Sequence, residues 1–138
     1  MATRSARTAW TGDLLDGRGE LTFDSSGIGT YPVSWTARSE EPGGSTSPEE
    51  LIAGAHSACF CMALSSGLAK AGTPPTRLDA RAEVDFSPGV GITEIRLFVR
   101  GEVPGLDDEG FSAAAADAKE NCPVSQALKA VPIVLTVE

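Results

Sequence analysis

The spacing of apolar positions changes along the chain, and each change predicts an element. Residues 6–38 read as a three-stranded meander. Trp10 ends a short strand before the turn Thr11-Gly12-Asp13, and Gly17 marks the next turn. Gly19 to Phe23 is a second strand, and Ser25-Ser26-Gly27 turns the chain toward a third, from Tyr31 to Arg38. Pro32 suits a strand start or an edge, because it has no N–H to give a ladder. Glu41-Pro42-Gly43-Gly44 is a loop.

Ser47-Pro48-Glu49-Glu50 then supplies a cap, a proline at the first helical position and an acidic first turn. The helix it opens runs to Lys70 and stops at Gly72, with Pro74-Pro75 beyond. It is apolar on nearly every side, which predicts burial all round. A small domain cannot cover such a helix alone, so a partner subunit is expected over it.

Residues 78–87 alternate strictly. Leu78, Ala80, Ala82, Val84 and Phe86 share one face, and Asp79, Arg81, Glu83 and Asp85 the other. Beyond Ser87-Pro88-Gly89-Val90-Gly91, Ile95, Leu97 and Val99 alternate with Glu94, Arg96 and Arg100, completing a half-solvated antiparallel hairpin. Leu106 to Glu120 is a helix, Pro123 opens a short one to Lys129, and Pro132–Val137 is a closing strand. The order βββ-α-ββ-αα-β predicts an α+β fold, with two small antiparallel sheets around a long buried central helix.

The chain has 138 residues and is 41% hydrophobic, which suits one domain over 1–138 with a real core. Its formal charge of −8 disfavours nucleic acid as a partner, since phosphate backbones would be repelled. No apolar run is read as approaching the ~18–20 residues of a membrane span. The start, MATRSARTAW, has no apolar core of a secretory signal. Three cysteines without a secretory context point to a reducing, cytoplasmic location and to functional or buried thiols.

Cys59 lies mid-helix in His56-Ser57-Ala58-Cys59-Phe60-Cys61. Cys122 sits in Glu120-Asn121-Cys122-Pro123, where free N–H groups of a helix start favour a thiolate. Taken singly, each cysteine also reads as inert packing, Glu49 as helix-start charge and Arg38 as a solvated cation. Metal is disfavoured, because there is one histidine and no Cys-x-x-Cys pair, and Cys61 is about 200° round the helix from Cys59. The same histidine makes a Ser/His/Asp triad weak; in an apolar helix it reads as a satisfied core residue.

Taken together, Thr46-Ser47-Pro48-Glu49-Glu50-Leu51, Ala55-His56-Ser57-Ala58-Cys59-Phe60 and Asn121-Cys122-Pro123-Val124-Ser125 closely resemble the OsmC/Ohr family of osmotically inducible and organic-hydroperoxide-resistance proteins. The resemblance runs from about Trp10 to the C-terminus. Thr36 to Arg38 and the Pro-Glu-Glu-Leu spacing look more like the OsmC branch. It implies an intertwined homodimer with two central helices packed together. It also implies a thiol peroxidase without cofactor or metal, acting on organic and less well on inorganic hydroperoxides. Cys59 would be the peroxidatic residue and Cys122 would resolve its sulfenic acid as a disulfide, with a dithiol, possibly lipoyl-type, as reductant. Arg38 would stabilise the thiolate and Glu49 would orient the arginine, with Arg18 as the competing cation. By rise alone Glu49 lies about 15 Å along the helix from Cys59, so it could act there only through the arginine or a dimer partner. Cys61 stands where the family usually has a small residue other than cysteine. The rival readings are a dithiol oxidoreductase without peroxide specificity, and a non-catalytic thiol sensor or small-molecule-binding dimer.

Overall fold

The computed structural model describes residues 1–138, which gather into two compact units, Met1–Leu51 and Ile52–Glu138. In the first, β1 (Arg7–Thr11), β2 (Arg18–Thr22) and β3 (Thr30–Val33) form an antiparallel sheet in that order. Gly19 pairs with both Trp10 and Val33, and their side chains close over it. A Cβ at Gly19 would stand 2.6 Å from Val33 Cγ2 and 2.9 Å from the Trp10 ring, so only glycine fits there.

The third strand is shorter than the sequence predicts, and Arg38 is not at a strand end. Ser34 is extended, and its Oγ accepts the Ala37 N–H at 3.1 Å, capping a short helix α1 (Trp35–Ser39) that carries Arg38 in its last turn. Five helical residues are too few to show a 3.6-residue period, so their apolar positions read as strand. The loop after α1 returns to the sheet, where the Thr46 N–H meets Pro32 O at 2.8 Å.

The long helix α2 (Pro48–Lys70) has the predicted bounds. Ser47 Oγ accepts the Glu50 N–H at 3.1 Å. At the far end Gly72 takes a left-handed φ of 89°, while the Thr73 and Gly72 N–H groups close on Leu68 O and Ala69 O at 2.9 and 3.1 Å. Within one chain α2 is not buried all round. His56, Phe60, Leu64 and Leu68, each four residues on, form the buried stripe. Gly54, Ala55, Ala58 and Ser66 are exposed, and Met62 is 72% exposed. The membrane reading also needs correction. From Leu51 to Ala69 there is no Asp, Glu, Lys or Arg, and α2 is long and apolar enough to cross a bilayer by length and composition. Its His56–Leu68 stripe is nevertheless packed within protein.

The second unit continues with β4 (Arg77–Ser87), β5 (Gly91–Glu102), α3 (Asp108–Asn121), α4 (Pro123–Ala127) and β6 (Ile133–Val137). The sheet order is β4-β5-β6. The α+β class with two small sheets holds, but β6 runs parallel to β5, so this sheet is mixed rather than antiparallel. The crossover through α3 and α4 brings the chain back to the same end, the usual requirement for a parallel neighbour. Both predicted helices end or begin slightly differently. Asp107 accepts the Gly110 N–H at 2.8 Å and so starts α3 at Asp108, and α4 stops at Ala127. Phe60, Leu64 and Leu68 of α2, Leu97 and Val99 of β5, Phe111, Ala115 and Ala118 of α3, and Cys122 make the core.

Candidate active site

Cys122 occupies the junction of two helices. Its own N–H closes α3 on Ala118 O at 2.8 Å, and the same residue stands at the start of α4. Pro123 forces it out of helical geometry, with ψ at 124°. Proline brings no N–H, so the first donors of α4 are the Val124 and Ser125 N–H groups. Cys122 is fully buried, whereas Cys59 of α2 is only partly so.

The two thiols lie close enough to act on each other's ionisation. Burial pushes the Cys59 thiol up; Cys122 adds to this, and the Val124 N–H only partly offsets them. Burial alone would do the same to Cys122. There the Ser125 N–H, the Cys59 thiol, the Val124 N–H and the Ser125 hydroxyl outweigh it and hold the thiol below its ordinary range. The surroundings of the shielded sulfur thus favour its thiolate more than those of Cys59 do. The N–H groups read from the sequence at Cys122 lie close enough to lower its thiol, although its sulfur makes no capping hydrogen bond of full geometry.

Cys61 has different neighbours. Burial raises its thiol, as does the Asp79 carboxylate, while the Ala80 N–H opposes them, so it faces β4 rather than Cys122. In the first unit Arg38 donates from Nε to Glu49 Oε1 at 2.9 Å. Glu49 is 6% exposed, and its second oxygen, Oε2, is buried without a hydrogen-bond partner. Arg18, the competing cation, opens β2 and is exposed. The predicted site residues are thus drawn together as two pairs, Arg38 with Glu49 and Cys59 with Cys122. No three His, Cys, Asp or Glu side chains converge to hold a metal ion.

Two further residues belong to the thiol site. His56 is fully buried, with Nε2 2.7 Å from Ser125 Oγ, and the Ser125 hydroxyl acts on Cys122. His56 is a core residue, as the sequence reading has it, and its Nε2 is paired with Ser125, but its Nδ1 is buried without a partner. The signal was present, because His56 stands three residues before Cys59 and Ser125 three residues after Cys122. Three residues apart on α2, His56 and Cys59 share a face, and Ser125 is the third residue of the helix that follows Cys122.

The family model for OsmC-like proteins matches residues 41–138. The chain is 41% identical over 130 residues to the peroxiredoxin OsmC of Escherichia coli (strain K12), covering 92% of this chain and 90% of that one. An organic hydroperoxide resistance protein from Elizabethkingia anophelis superposes with a TM-score of 0.73 at 25% identity, over 100% of this chain and 96% of the other. A second one, from Legionella pneumophila, shares the fold at 24% identity, with a TM-score of 0.74 over 100% and 99% of the two chains. Paired thiols at a helix junction, the matching family model and the Escherichia coli relative agree, and the chain belongs to the OsmC family.

Proposed function

We propose that this protein is a cysteine-based peroxidase that reduces organic hydroperoxides to alcohols, with Cys59 as the attacking sulfur and Cys122 as the resolving one. The observation that carries this assignment is the difference in exposure within one pair of neighbouring thiols: Cys59 is partly exposed, whereas Cys122 is wholly buried. The Cys59 thiolate attacks the distal oxygen, the O–O bond breaks, and the alkoxide leaves and takes a proton to become the alcohol. The Cys122 thiolate then attacks the Cys59 sulfenic sulfur, the S–O bond breaks, hydroxide leaves and takes up a proton from solvent to become water, and a disulfide remains. A dithiol reductant returns the pair to thiols and is itself oxidised to a disulfide.

Cys59 needs help to ionise, since its burial favours the thiol. We assign that role to Arg38, oriented by Glu49. A guanidinium beside Cys59 would favour its thiolate and leave the charge on the attacking sulfur. The uncovered apolar side of α2 around Met62 supports a homodimer built on that helix.

The test is consumption of an organic hydroperoxide with dithiothreitol or dihydrolipoamide, wild type beside Cys59→Ser. Sustained turnover that disappears in the variant is expected. Activity that survives Cys59→Ser would overturn the assignment, and a single stoichiometric oxidation without turnover would make the protein a sensor.

A further inference from the structure

His56 and Ser125 are used by no step described so far, yet they form a buried polar pair inside an apolar core. His56 is fully buried and Ser125 is 5% exposed, with 2.7 Å between Nε2 and Oγ. Burial holds the imidazole neutral, so one ring nitrogen carries the hydrogen. If that were Nδ1, the core would contain a buried N–H with no acceptor, the rarest kind of unsatisfied group. The hydrogen therefore belongs on Nε2 and is donated to Ser125 Oγ. A hydroxyl that accepts from histidine has its own hydrogen free to donate elsewhere, and the Ser125 hydroxyl acts on Cys122.

From this geometry we infer that His56 is a positioning residue for Cys122: its Nε2–H fixes the Ser125 hydroxyl so that the hydroxyl hydrogen is aimed at the Cys122 sulfur. The titratable group that faces Cys122 from α2 is Cys59; the other side chains of its cluster, among them Phe60, Leu97 and Ala118, are apolar. Ser125 is what links the imidazole to the sulfur.

The inference rests on the proposed peroxidase reading for its place in the cycle. The aligned donor serves Cys122 twice. During resolution it holds the sulfur as a thiolate ready to attack. During recycling one thiolate of the dithiol attacks Cys59 Sγ, the Cys59–Cys122 bond breaks, and the electron pair leaves on Cys122, where the hydroxyl hydrogen and the two N–H groups receive it. The second thiol of the reductant then attacks the mixed disulfide and frees Cys59. The pair gains two electrons, and the dithiol becomes a disulfide. A well-stabilised leaving thiolate departs faster, so the relay directs the reductant to Cys59 rather than Cys122.

The chain has one histidine, so a nitrogen-15 spectrum reads His56 without ambiguity. Burial lowers the imidazole pKa, so a neutral ring protonated at Nε2 is expected between about pH 7 and 8; an Nδ1-protonated ring or a cation there would overturn the inference. In reduced Cys59→Ser protein, where Cys61 is pushed up, the lowest thiol midpoint is that of Cys122, and ultraviolet thiolate absorbance should show it rising by about one unit on adding Ser125→Ala or His56→Leu, with His56→Gln near the parent. In single turnover near neutral pH, Ser125→Ala should slow disulfide formation from the Cys59 sulfenic acid about tenfold. An unchanged midpoint and resolution rate in Ser125→Ala would sink the idea. Should His56→Leu fail to fold, Ser125→Ala and the spectrum of the wild type decide. Failure of the peroxidase reading looks different, since peroxide would then not be consumed while the thiol titration still responds to Ser125.

Discussion

At the scale of single residues, the three cysteines share one short stretch of physics and end in three different states. The Cys122 thiol is held down by the N–H groups and hydroxyl near it against its burial, Cys59 is pushed up by burial and by Cys122, and Cys61 is pushed up by burial and by Asp79. Cys61 is nearest to Cys59 in sequence, but a disulfide needs Cβ atoms ~3.5–4.5 Å apart, which helical residues two apart on opposite sides cannot reach without unwinding. Cys61→Ser should therefore keep most turnover. Cys122→Ser should stall at the Cys59 sulfenic acid, trapped by dimedone and read by mass spectrometry; loss of recycling in Cys61→Ser alone would reverse the assignment. The Arg38–Glu49 pair makes a second prediction. Replacing the cation by a neutral side chain of similar reach, Arg38→Met, should raise the Cys59 midpoint and slow alkylation of Cys59 near neutral pH, with the circular dichroism of the fold unchanged. If Arg18→Met does this and Arg38→Met does not, the cation is Arg18.

Among the elements, the β4–β5 hairpin carries its charges where the sequence alternation puts them. Arg96 reaches Asp85 at 2.7 Å, Glu94 at 2.8 Å and Glu83 at 3.0 Å, across and along the ladder. The hydrogen bond from Arg96 holds the Asp85 and Glu83 carboxyls below the usual carboxylate range. Carboxyls with lowered folded-state pKa values stabilise the fold above their unfolded values, about 4, and that contribution disappears as pH falls through the folded ones. Arg96→Met should consequently lower the Tm at neutral pH, and the gap to wild type should close on acidification below about pH 4. A gap that is constant from neutral to acid would show that the ladder adds nothing, as is common for solvent-exposed pairs.

For the molecule as a whole, α2 poses the main question of assembly. One side of it is packed by the second unit's sheet and helices, and the other leaves Met62 72% exposed amid small apolar residues. An apolar strip of this kind on a central helix is expected to be covered by its copy. Sedimentation at micromolar concentration should then give about twice 14.2 kDa, and Met62→Glu should shift the mass toward the monomer. A wild-type monomer that stays folded at that concentration would remove the dimer from the proposal.

What the sequence by itself determined is local. The bounds of α2 follow from Ser47, Pro48 and Gly72, the faces of β4 and β5 from a strict period of two, and the cap-like position of Cys122 from the proline after it. These are signals that act within a few residues, so they survive without the rest of the chain. Tertiary structure decided the rest. Whether β6 runs parallel or antiparallel depends on where the crossover through α3 and α4 returns, and alternation within a single strand cannot encode it. The five-residue helix under Arg38 is stabilised by a serine cap that matters only once the third strand has ended. The His56–Ser125 contact joins residues 69 positions apart. A buried histidine looks the same in sequence whether its partner is water, a carbonyl or the hydroxyl beside a reactive sulfur. Only the packing of α4 against α2 settles which, because a hydrogen bond inside the core is a matter of ångströms that no local pattern records.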